Sequence, residues 1–191
     1  MARTSAFISG CEHGGVLKKE GRFYAVQGTV LLVGALAFIS CAASLTGAAL
    51  FASGWLLVIS SALSLLRPLI YPRGFSDGVS ALVCAGLYAF TGFFPGLIGT
   101  VPKDSLRLIA ILLLFFAGLT RLIAFAGVVE YSALPFQLVC CAADIACALL
   151  LLRSGAADES AAFIFPGMAL IAGTAESFCE SAVLLRRAAK E

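Results

Sequence analysis

Charge is what this chain has least of. Asp, Glu, Lys and Arg make up 13% of its 191 residues, about half the share in a soluble domain. So little polar surface cannot coat a water-soluble sphere, which excludes an ordinary soluble globular protein. Histidine occurs once, at His13. A single imidazole excludes a histidine cluster for a catalytic metal, and no serine–histidine pair lies in an apolar segment. A Gly-rich phosphate loop is also missing. These absences argue for a non-enzymatic protein without a cofactor. The net charge is only +2 and no basic run interleaves with aromatics, so nucleic acid is excluded as a partner. The seven cysteines (Cys11, Cys41, Cys84, Cys140, Cys141, Cys147 and Cys179) contain no C-x-x-C pair. That removes the chemistry of a thiol oxidase, and six of the seven fall in oily stretches where cysteine packs as a small hydrophobe.

What the chain has in abundance is apolar length. Hydrophobic residues reach 61% and the mean hydropathy is +1.02. A bilayer core about 30 Å thick takes about 20 apolar residues as helix. Six stretches qualify, at about 24–44, 48–67, 78–99, 105–127, 134–152 and 161–185. Breaker-rich joints separate them: "SLTG", "RPLIYPRGFSDG", "GTVPKD", "EYSALP" and "RSGAADES". The expected fold class is therefore an all-α membrane protein of six transmembrane helices, with the lipid bilayer as its first partner. Residues 23–187 form the membrane domain, 1–22 an N-terminal tail and 188–191 a C-terminal tail. The first apolar run is long and five more follow, so it reads as a retained span rather than a cleaved signal. Trp55, near the middle of its span, reads as packing.

Basic residues orient the spans. With the N-terminus inside, the inner side holds Arg3, Lys18, Lys19, Arg22, Arg67, Arg73, Arg186, Arg187 and Lys190. The outer side holds only Lys103, Arg107 and Arg153. By the positive-inside rule both termini are cytoplasmic.

The spans repeat. "ALVCAGLYAF" (81–90) lies over "QLVCCAADIA" (137–146), with Leu, Val and Cys in register. "VISSALSLL" (58–66), "FFAGLTRLI" (115–123) and "LIAGTAESF" (170–178) share a small-residue pair followed by a mixed helix. The chain thus reads as three two-span hairpins. A two-span unit returns to its starting side, so the copies are parallel, unlike the inverted repeats of many transporters.

Four ionisable residues lie within these spans: Arg121, Asp144, Glu176 and Glu180. In the repeat, Ser64, Arg121 and Glu176 are equivalent, and so are Tyr88 and Asp144. Each charge rides a stripe of small or polar residues: Ala110, Leu114, Ala117, Gly118 and Arg121; Gln137, Cys141, Asp144 and Ala148; Ala169, Ala172, Gly173, Glu176 and Glu180. Small residues let membrane helices approach closely. At about 1.5 Å per residue, Arg121 falls about 7 Å inward of its span centre, Glu176 about 4 Å and Glu180 about 10 Å. A cluster of Arg121 with both glutamates, and Asp144 above them, is expected. A central charge costs about 2.5–3.5 kcal/mol on insertion scales. Three acids against one base leave an excess, so at least one acid is expected to hold a proton at neutral pH. The cluster reads either as an interhelical clasp or as a proton-responsive site; Glu180 alone could also snorkel to the inner interface. Cys11, Glu12 and His13 are too few, in a tail, to make a metal site.

The stretches "AGLTRLIAFAG" (117–127), "QLVCCAADIACALLLL" (137–152) and "PGMALIAGTAES" (166–177), with the size and the threefold hairpin repeat, resemble the HdeD family of small bacterial inner-membrane proteins. The likeness covers about residues 23–187. It implies a bacterial inner-membrane protein linked to acid or envelope stress, with no catalytic activity. Arg121 and Asp144 match the family pattern; Glu176 and Glu180 lie outside it. Two other readings stand beside this one: a proton-coupled carrier or channel for a small solute, and a membrane subunit that packs with a larger partner. Small-residue stripes equally permit a homo-oligomer.

Overall fold

The computed structural model describes residues 10–44, 47–71, 75–97, 100–127, 134–154 and 161–190. Among them are six helices and no strand: α1 (Gly10–Ser44), α2 (Gly47–Ile70), α3 (Phe75–Leu97), α4 (Lys103–Gly127), α5 (Leu134–Arg153) and α6 (Ala161–Ala188). Helices satisfy every backbone group within the segment, which is what a chain this apolar needs where water is absent. Five of them are long and apolar enough to cross a membrane. The described apolar stretch of α3 is shorter, Gly78–Phe94. The chain is an all-α membrane protein. Two boundaries differ from expectation. Helix α1 begins at Gly10, well ahead of residue 24, because "KKEGRFYAV" has no proline to stop it. Helix α2 runs through Pro68 to Ile70.

Each helix packs on the next, α1 through α6, and α6 closes on α1. The neighbours are antiparallel. Gly21, early in α1, abuts Leu184 and Leu185 at the end of α6, while Gly167, early in α6, abuts Ile39 late in α1. The starts of α1, α3 and α5 therefore share one end with the finishes of α2, α4 and α6. Lys18, Lys19, Arg22, Arg67, Arg186, Arg187 and Lys190 gather there, the basic end. Contacts within hairpins and contacts between them alternate around the ring.

At the opposite end Phe38, Phe94 and Phe163 pack together, with ring centroids 5.3 Å apart for Phe38–Phe163 and 5.2 Å for Phe94–Phe163. Arg107, at the start of α4, donates from Nε to the Leu151 carbonyl at 3.0 Å and from Nη2 to the Leu152 carbonyl at 3.1 Å. It thereby covers carbonyls left open at the end of α5 and meets the negative end of that helix's dipole.

Outward faces are apolar: Phe51, Leu82, Val139, Leu149 and Leu152 are all exposed. Such a surface is sheltered from water only in lipid. Trp55 belongs to it. It is 54% exposed and stands edge-on to Phe51 at 6.0 Å, so its expected packing role is wrong. Position within a span gives depth, not facing, and the helical rotation places Trp55 on the lipid side.

Helices α2 and α3 touch through backbone at Gly54 and Gly92. A Cβ on Gly92 would lie 2.6 Å from the Gly54 carbonyl oxygen, closer than real Cβ atoms come. Gly92→Ala is therefore expected to force the helices apart and lower stability by about 1–3 kcal/mol, the usual range for overpacking. Gly86→Ala, whose Cβ would meet only Leu113 at 3.8 Å, should be nearly neutral. Thermal unfolding in mild detergent, read by size-exclusion fluorescence, checks the contrast.

Candidate functional site: a buried arginine between two carboxylates

Three helices converge on one guanidinium. Arg121 of α4 is 4% exposed and Asp144 of α5 is fully buried. Arg121 Nη1 donates to Asp144 Oδ2. On the other side Arg121 Nε lies 3.0 Å from Glu176 Oε2 of α6, whose side chain is 23% exposed. One base thus joins two acids from different helices. The bond to Asp144 is a charged hydrogen bond, about twice as strong as a neutral one; the Glu176 contact is an ion pair without hydrogen-bond geometry. The alternative is an unpaired charge in a medium that cannot solvate it.

Small residues create the space. A Cβ on Gly173 would sit 3.0 Å from the Tyr88 hydroxyl oxygen and 3.1 Å from Arg121 Nη2, so this glycine makes room for both groups. A Cβ on Gly118 would lie 2.8 Å from Ile145 Cγ1 and 3.1 Å from the Cys141 carbonyl oxygen. Gly118 therefore brings α4 against α5 almost one turn before Arg121. Along the stripes expected to pack, Ala110, Leu114, Ala117, Gly118, Cys141, Ala148, Ala169 and Gly173 are all buried.

The cysteine doublet holds α5 to both neighbours. Cys140 Sγ donates to the Ala172 carbonyl of α6 and Cys141 Sγ to the Gly118 carbonyl of α4, each at 3.1 Å. Reading these cysteines as packing missed their hydrogen bonds; adjacency in sequence, which points two thiols to different sides of a helix, was the available signal. Cys84, Cys140, Cys141 and Cys147 are buried and not in disulfides.

Glu180 is placed differently from expectation. It is buried, at 9% exposure, so it does not snorkel. Gln137 Nε2 donates to Glu180 Oε1 at 3.3 Å, one turn toward the basic end from the Arg121–Glu176 pair. Asp144, expected above the cluster, is instead the direct partner of Arg121. Tyr88, its repeat equivalent, is 3% exposed and reaches the same centre from α3. The equivalent of Arg121 in the first hairpin, Ser64, is also buried and accepts from Gln27 Nε2 at 2.7 Å. The side chains of Cys11, Glu12 and His13 lie outside the described residues, among which no group of three or more metal-ligating side chains occurs.

The geometry ranks the members of the cluster. Removing one partner of a buried pair costs about 3–5 kcal/mol, because the other charge is stranded. Arg121→Met should fall in that range. Asp144→Asn should cost more than Glu176→Gln, since Glu176 keeps some exposure and Asp144 has none. Thermal unfolding of the three variants in one detergent gives the order directly.

No family model, curated protein or solved structure matches the chain.

Proposed function

We propose that this multi-pass membrane protein is a non-enzymatic, acid-responsive protein of the bacterial inner membrane, with both termini cytoplasmic and a role in acid or envelope stress. One observation carries the reading: Arg121 is held between two carboxylates, Asp144 and Glu176, inside the helical bundle. With both acids ionised the cluster sums to one negative charge. A single proton brings it to neutrality. Burial makes that imbalance felt, because charge is screened least where water is scarce. Proton occupancy is thereby linked to how tightly α4, α5 and α6 hold together. The resemblance to the HdeD family agrees with this reading. Glu176, which lies outside the family pattern, supplies the second carboxylate.

The rival reading, a proton-coupled carrier or channel, differs in one measurable respect. Purified protein in proteoliposomes with an imposed pH gradient and a trapped pH dye should show no proton flux above protein-free vesicles, for wild type and Glu176→Gln alike. Wild-type flux that disappears in Glu176→Gln would overturn the proposal in favour of the carrier. In cells, loss of the protein should lower survival after acid exposure, and an Arg121→Met copy should not restore it.

A further inference from the structure

The bundle interior differs in kind on the two sides of the Arg121 cluster. Toward the basic end it is polar. Gln27 of α1 is 5% exposed and donates to Ser64 of α2, yet its Oε1 is buried without a hydrogen-bond partner among the described residues. The next residue, Gly28, faces Ser177: a Cβ there would lie 3.2 Å from the Ser177 Cβ. Ser177 directly follows Glu176, and Ser181 and Glu180 continue α6 toward the basic end, all three buried. The Ser177 hydroxyl donates to the Gly173 carbonyl at 3.0 Å, and its oxygen keeps lone pairs with which to accept from water. Asp144 Oδ1 and Arg121 Nε, in the cluster itself, are likewise buried without a hydrogen bond. Buried polar atoms without a protein partner are where ordered water binds in folded proteins.

Toward the opposite end the interior is mainly apolar. Phe163 packs against both Phe38 and Phe94, backed by Leu57, Leu151 and Leu170, each buried to 1% exposure or less. Ser53, Ser60 and Thr91 are also buried on this side, and the hydroxyls of Ser60 and Thr91 donate to the Leu56 and Leu87 carbonyls of their own helices, at 3.0 and 2.7 Å. Every buried charged residue among those described, Glu20, Arg121, Asp144 and Glu180, sits on the basic-end side of the phenylalanines.

We propose that the Arg121 cluster exchanges protons with one membrane face only, the basic one, through water bound along Gln27, Ser177 and Glu180, while Phe38, Phe94 and Phe163 seal the other face. This rests on the acid-responsive reading and adds sidedness to it: the protein reads the pH of the compartment its basic end faces and carries no current. The other titratable groups around the centre are Cys84 and Tyr88 of α3, Cys140, Cys141 and Cys147 of α5, and Cys179 of α6. Glu20 of α1 and Arg67 of α2 lie farther toward the basic end, beyond Gln27 and Ser64. No proton is created or consumed; one moves from bulk water to a carboxylate and returns by the same side.

The test uses full-length protein reconstituted in vesicles, with the exposed face identified by trypsin cleavage at the basic end. Infrared difference spectra follow the protonated-carboxyl band after a pH step outside, and Glu176→Gln and Asp144→Asn assign that band. The step should change the band promptly when the basic end faces outward. With the opposite end outward, the change should wait until gramicidin equilibrates the vesicle. Ser177→Val should lose the prompt response while keeping the final amplitude, and Phe163→Ala should gain a prompt response from the second face. Prompt responses from both faces of wild type, or from the phenylalanine face alone, would overturn the sidedness and leave the acid-responsive site standing. A band silent from both faces even with gramicidin would overturn the site and the sidedness together.

Discussion

A charge inside hydrocarbon has to be held by another charge, and here one arginine answers two. The energetic scale explains why so much local structure serves that single group. An unpaired central charge costs about 2.5–3.5 kcal/mol even on the mildest scale, a large fraction of the net stability of a domain, which is about 5–15 kcal/mol. Gly118 and Gly173 give up side chains to let α4, α5 and the guanidinium come together. The thiols of Cys140 and Cys141 bond backbone carbonyls on either side of α5 and fix its rotation. With α5 so oriented, Asp144 meets Arg121.

The closed ring of helices sets where such a cluster can exist. Three antiparallel hairpins place one even-numbered helix each around the interior, and the equivalent positions carry Ser64, Arg121 and Glu176. At the positions that the sequence aligns, the second and third hairpins carry charge, whereas the first has a serine bonded to Gln27; the odd-numbered helices carry Tyr88 and Asp144.

Most of the fold was legible because the bilayer leaves few choices. Apolar runs of fixed length must be helices, and the joints are rich in glycine, proline and charge. The members of the cluster were legible too, since ionisable residues in such runs stand out. Their partners were less so. Depth along a span, at about 1.5 Å per residue, put Arg121 between Glu176 and Glu180; Glu176 does meet it, but the rotation of α5 brings Asp144 in as the second acid, while Glu180 accepts from Gln137. Trp55 failed for the same reason: distance along the helix is written in the sequence, whereas the direction a side chain faces depends on neighbours far along the chain. The helical start at Gly10 was missed because hydropathy marks where a helix enters lipid, not where it begins.

The account stands on Arg121 and Asp144 being one interaction rather than two residues that happen to be buried. A double-mutant cycle measures that directly. Reversible unfolding in bicelles would be compared for wild type, Arg121→Met, Asp144→Leu and the double variant. The account predicts strong coupling: each single change strands a charge, and making both removes the stranded pair, so the double variant loses much less than the two single losses combined. Losses that simply add would mean that the two side chains do not depend on each other, and the arginine-centred cluster would have to be abandoned.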